Sequence, residues 1–103
     1  MMVRWSYKAQ KQQDAIANYI YKEFGSIALR EFYQKIDDVE SELLTCPEMG
    51  KLEPLLKHRT RAYRSIVLNK RSKLIYTIEK DYIYICALWD TRREPKAQAS
   101  KLR

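Results

Sequence analysis

The chain has 103 residues, with 20 Lys/Arg against 13 Asp/Glu and a formal charge of +7, a length that holds one domain, residues 1–103, around a single modest core. No window approaches the roughly 20 apolar residues of a membrane span, and the N-terminal "MMVRWSYKAQ" lacks the apolar stretch of a signal peptide, so the expected location is cytoplasmic. Cys46 and Cys86 are too few and too isolated for a disulfide framework or a zinc site, and no metal or cofactor is expected.

In chain order, "VRWSY" (3–7) alternates apolar and polar and reads as a short strand. From about Lys8 to Phe24, Ile16, Tyr19, Ile20 and Phe24 recur at spacings of three and four, one face of an amphipathic helix that Gly25 is placed to end. Ser26 can cap a second helix with Ala28, Phe32, Ile36, Val39 and Leu43 on one stripe. "CPEMG" stops it, because Pro47 disfavours helical geometry at Cys46. Three strand-like runs follow, "AYRSIVL" (62–68), "KLIYTIE" (73–79) and "YIYICALW" (82–89), separated by links short enough for antiparallel hairpins. The last is apolar on both faces, as an internal strand would be. This order defines an α+β domain: an N-terminal strand, a helical hairpin and a three-stranded antiparallel meander, with the helices packed on one face of the sheet. The expected core joins Ile16, Ile20, Phe32, Ile36 and Val39 to Ile75, Ile83 and Ile85 or their alternates on the strands.

The charge is uneven. Residues 1–50 hold six Lys/Arg against eight Asp/Glu, whereas residues 51–103 hold fourteen against five. Between Lys57 and Lys73 stand seven cations, His58 and no acid. Such a block suits a polyanion or an acidic partner, since many screened attractions add over a face, although a merely soluble basic surface reads the same way.

The chain resembles, over nearly its whole length, the RelE/ParE superfamily of toxins from bacterial type II toxin-antitoxin (plasmid stabilisation) systems. The resemblance is carried by "YIYKEFGSIALREFYQKI", "CPEMG", "AYRSIVL" with its early arginine, "KLIYTIE" and the closing "IYICALWDTRREP", which looks most like the ParE branch. It implies a growth-arresting toxin neutralised by a cognate antitoxin, a small, often acidic protein, with DNA contacted only through that antitoxin. Two targets follow from it. ParE-like relatives bind and inhibit DNA gyrase, which asks for arginines and an aromatic, here Arg61, Arg64, Trp89, Arg92 and Arg93, and no proton transfer. RelE-like relatives are metal-independent endoribonucleases that cut messenger RNA on the ribosome, for which Arg64, Lys73 and Arg92 would be the catalytic cations, converging on one edge of the sheet.

That second chemistry needs a base for the 2′-hydroxyl and an acid for the leaving oxygen. RNA-cleaving relatives carry a His or Tyr in the C-terminal tail, and after Tyr84 this sequence has neither. His58, its one imidazole, falls in a loop before the sheet. The gyrase-binding reading is therefore preferred, with the ribonuclease as the alternative. Trp89 and Asp90 stand at the end of the last strand, where Trp89 reads either as core or as part of a binding patch. A rigid strand ending there would start Arg92 and Arg93 from a fixed point.

Overall fold

The computed structural model describes residues 1–91. Strand β1 (Met2–Trp5) is followed by helix α1 (Tyr7–Thr45), then by β2 (Lys51–Leu52), β3 (Arg64–Asn69), β4 (Ser72–Ile78) and β5 (Tyr82–Asp90). The sheet order is β1-β5-β4-β3-β2. Only the β1–β5 pair is parallel; the remaining pairs are antiparallel.

Straight, a 39-residue helix would run about 58 Å, longer than the 39 Å greatest extent of the molecule. It folds back at Gly25 (φ 89°, ψ −175°), a conformation open almost only to glycine. The two limbs form the expected hairpin, and Ala17, Ile20, Phe32, Ile36, Val39 and Leu43 pack with Leu74, Tyr76, Ile83, Ile85 and Leu88 of the sheet. Ile16 is partly buried against the same cluster.

Helix and strand boundaries move slightly from the sequence expectation. The first strand stops at Trp5 rather than residue 7, because Ser6 is already the helix cap: its hydroxyl accepts the Ala9 N–H at 3.0 Å and donates to the Cys86 carbonyl at 3.1 Å. Trp5 donates its indole N–H to Glu40, tying β1 to the second limb. Strand β2, two residues on β3's outer edge, was not expected; nothing so short carries a period.

The larger correction concerns Ile75 and Trp89. Pairing slips between Ile75↔Ala87 and Tyr76↔Ile85, so that Cys86 is an extra residue on β5. Such a bulge shifts side-chain alternation by one. Ile83 and Ile85 face the helix before it and Leu88 after it, which puts Trp89 on the opposite face. There Ile75, Cys86, Ala87 and Trp89 form a second cluster with Leu56 and Tyr63, contributed by the segment between β2 and β3. Ile75 is thus buried away from the hairpin, and β5 is covered on both faces.

Candidate functional site

The segment between β2 and β3 carries Lys57, His58, Arg59 and Arg61 across the face of the sheet opposite the helix, and Glu53 anchors it. The Glu53 N–H donates to the Tyr63 carbonyl at 2.9 Å, closing the base of the loop. Its carboxylate accepts the Leu55 N–H at 2.9 Å, capping the short 3₁₀ turn Pro54–Leu56, and lies 2.6 Å from Lys73 Nζ. Burial alone would raise the Glu53 carboxyl, but the Lys73 ammonium and the Leu55 N–H outweigh it and hold the group below the ordinary carboxylate range. The Lys73 ammonium also sits 5.4 Å from the centre of the Trp89 ring.

On the other side of the sheet, Arg64 opens β3. Its guanidinium donates to the Gly50 carbonyl at 2.7 Å and more weakly to that of Glu48 at 3.4 Å, fastening the "CPEMG" turn. The same turn is held by Tyr76, whose hydroxyl donates to the Pro47 carbonyl at 2.6 Å and accepts the Gly50 N–H at 2.9 Å. Gly50 is obligatory here for a packing reason: a Cβ would lie 2.7 Å from that hydroxyl and 2.9 Å from the Ser65 carbonyl.

The sequence-selected residues are therefore not gathered at one point. Arg64 pairs opposite Tyr76 and works on the helix side of the sheet, whereas Lys73 pairs opposite Trp89 and works on the other. The edge convergence expected of Arg64 and Lys73 is absent, because nine positions along a two-residue turn and a bulged ladder put them on opposite faces. Trp89 is 2% exposed, a core residue under the Lys73 ammonium. Arg61 is exposed and lies 3.7 Å from Glu79, and His58 is exposed. Arg92 and Arg93 lie outside the described residues.

One cation that the sequence did not single out, Arg71, occupies a more defined place. It sits in the β3–β4 turn, donates to the Tyr19 hydroxyl at 3.1 Å, and stacks at 5.5 Å from the Tyr19 ring and 4.5 Å from that of Phe24. It separates two hollows against the hairpin, of about 510 and 400 Å³. Ile16, Ile20 and Leu88 floor the larger, with Lys8 and Lys11 at its rim, and Phe24, Ala28, Phe32 and Leu68 line the smaller. The 3.6-residue period places Tyr19 and Phe24 on the helix face, but nothing local to "NKRS" points a turn arginine at them. Among the described residues no cluster of three His, Cys, Asp or Glu could hold a metal ion, and no helix is long and apolar enough to cross a membrane.

A bent helical hairpin on one face of a mixed five-stranded sheet, with a cationic rim, is the architecture of small toxins of the RelE/ParE kind. The family model described as "ParE toxin of type II toxin-antitoxin system, parDE" matches residues 3–95, and the chain belongs to that family: it is the toxin of a type II toxin-antitoxin system. Among solved structures it is similar to the chromosomal ParDE toxin-antitoxin system from Pseudomonas aeruginosa, with TM-score 0.69 and 19% identity over 87% of this chain and 95% of that one. It is also similar to the YoeB dimer from Staphylococcus aureus, with TM-score 0.59 and 20% identity over 84% and 92% of the two chains. No curated protein matches it in sequence.

Proposed function

We propose that the toxin arrests growth by binding and inhibiting DNA gyrase rather than by cutting messenger RNA. The observation that supports this reading is the state of the two candidate catalytic cations among the described residues. Arg64 donates to main-chain carbonyls and Lys73 is paired with buried Glu53, on opposite faces of the sheet. Phosphoryl-transfer catalysis needs cations converging on one developing charge, and these two hold the fold. A binding inhibitor needs only an exposed cationic surface, to which Lys57 and Arg61 contribute among the described residues.

The cognate antitoxin would meet the hairpin side. An apolar floor of Ile16, Ile20 and Leu88, lined also by Lys8, Lys11 and Arg71 against one acid, Asp90, suits a segment with apolar residues on one side and carboxylates on the other. Tyr21 and Tyr33, exposed on the hairpin, add amphipathic surface there. The test is a supercoiling assay with purified toxin and bacterial gyrase. Dose-dependent loss of supercoiling, reversed by a cognate antitoxin, is the expected result; gyrase that stays fully active at saturating toxin would refute the reading.

A further inference from the structure

The segment from Glu53 to Tyr63 is a fixed platform whose exposed charges are cations. Leu56 and Tyr63 are buried in the cluster with Ile75, Ala87 and Trp89. Between them the main chain is held by the Lys57 N–H, which donates to the Pro54 carbonyl at 3.4 Å, and the Arg59 N–H, which donates to the Leu56 carbonyl at 3.0 Å. Lys57 and Arg61 are exposed on this platform. So is Lys51 of β2, which pairs opposite Ser65 and shares the face turned from the hairpin. The carboxylate of the segment, Glu53, is buried and paired with Lys73. Glu79 lies beside the platform, 3.7 Å from Arg61, in a partly exposed pair that contributes little. Arg64, Arg71 and Lys73, from the same run of seven cations, hold the fold, whereas Lys57 and Arg61 stand outside the core.

We propose that this platform binds the phosphate backbone of duplex DNA directly, where the family resemblance leaves DNA to the antitoxin. The charge selects a polyanion, because each phosphate that a cation neutralises releases counterions. Composition then selects among polyanions. A protein interface has a desolvated apolar centre, and no large apolar side chain is exposed between Lys57 and Ala62. A single strand is held by stacking its bases on aromatic rings, and that stretch contains no Phe, Tyr or Trp. Exposed cations on a fixed main chain suit contacts to a duplex backbone, which are polar and carry no sequence information. The inference goes beyond the gyrase reading and stands without it, since it concerns the toxin and the duplex alone.

The experiment follows the anisotropy of a short labelled duplex of random sequence with purified toxin, without gyrase or antitoxin, at salt from about 0.05 to 0.2 M. The parent should bind with log K falling linearly against log salt. Lys57→Ala/Arg61→Ala should make that slope shallower by about two and weaken binding roughly tenfold or more at the lowest salt, with an unchanged thermal midpoint. Lys57→Arg/Arg61→Lys should keep the parent slope. Lys22→Ala/Lys35→Ala, which removes the same charge from exposed positions on the hairpin, should keep it too. A parent that does not bind, a slope unchanged in Lys57→Ala/Arg61→Ala, or an equal change in the hairpin pair would each overturn the proposal. So would a slope that changes only together with the thermal midpoint, tighter binding of a single strand than of the duplex, or equal binding of polyglutamate at matched charge. Gyrase inhibition without duplex binding sinks this proposal alone; duplex binding as expected beside fully active gyrase sinks the gyrase reading alone.

Discussion

Replacing Lys73 by Met should turn the anchor of the basic loop into a liability whose size depends on pH. The Glu53 side chain is 1% exposed and that of Lys73 22%, so Met, which keeps most of the aliphatic stem over Trp89, leaves a buried carboxylate without its cation. Breaking a fully buried pair costs about 3–5 kcal/mol; with the Leu55 N–H still bonded to Glu53 and the lysine partly solvated, about 2–3 kcal/mol is expected here at pH 7. In the parent the Glu53 carboxyl is held below its ordinary 4.5, so its contribution is present above that pH and is lost as pH falls through the lowered value. In Lys73→Met only burial and the weaker hydrogen bonds remain, and the carboxyl is raised. The folded state then binds the proton more tightly than the unfolded one, and the variant's deficit shrinks as pH falls from 7 towards 4.5. Urea unfolding of both proteins between pH 7 and 4.5 measures this, and Glu53→Gln/Lys73→Met should recover much of the loss. A Lys73→Met penalty below about 0.5 kcal/mol, or one that does not vary with pH, would refute the assignment of Lys73 to the anchor.

Other consequences are as direct. Gly25→Ala meets no neighbour within 4 Å, so its cost is the backbone conformation alone, about 1–3 kcal/mol by denaturant unfolding. Tyr76→Phe removes a buried hydroxyl that bridges Pro47 and Gly50, and should cost about 1–3 kcal/mol. Burial pushes the Cys86 thiol up to about 11, so a thiol reagent at pH 8 should modify exposed Cys46 and spare Cys86 until the protein unfolds. Arg92→Ala/Arg93→Ala should change stability by no more than about 0.5 kcal/mol per site while growth inhibition falls sharply, read by unfolding and by induced expression in parallel.

What could be read from the chain is what repeats or punctuates. The hairpin was legible because Ile20, Phe32, Ile36 and Val39 keep helical spacing and Gly25 interrupts it once, and the meander because three apolar runs lie a few residues apart. The bulge at Cys86 was not, since "YIYICALW" is apolar at nearly every position and an extra residue leaves no gap in such a run. The site suffered from that omission. One slipped residue decides that Trp89 joins Ile75 under Lys73 rather than facing a partner, and that Ile75 turns from the hairpin. Nor does a glutamate followed by proline announce that it will lie buried against a lysine twenty positions on. Arg64 reads from the sequence as an arginine early in its strand and as a cation for the target, but its partners in the fold are carbonyls of the "CPEMG" turn, which carry no sequence signature at all.

Incubating the purified toxin in parallel with gyrase and plasmid DNA, and with translating ribosomes carrying a defined message, separates gyrase inhibition by binding from ribonuclease action. Detergent-trapped, gyrase-linked DNA breaks should rise with toxin concentration, beside messenger RNA that stays intact. Codon-positioned cleavage of the message, with gyrase unaffected, would contradict it.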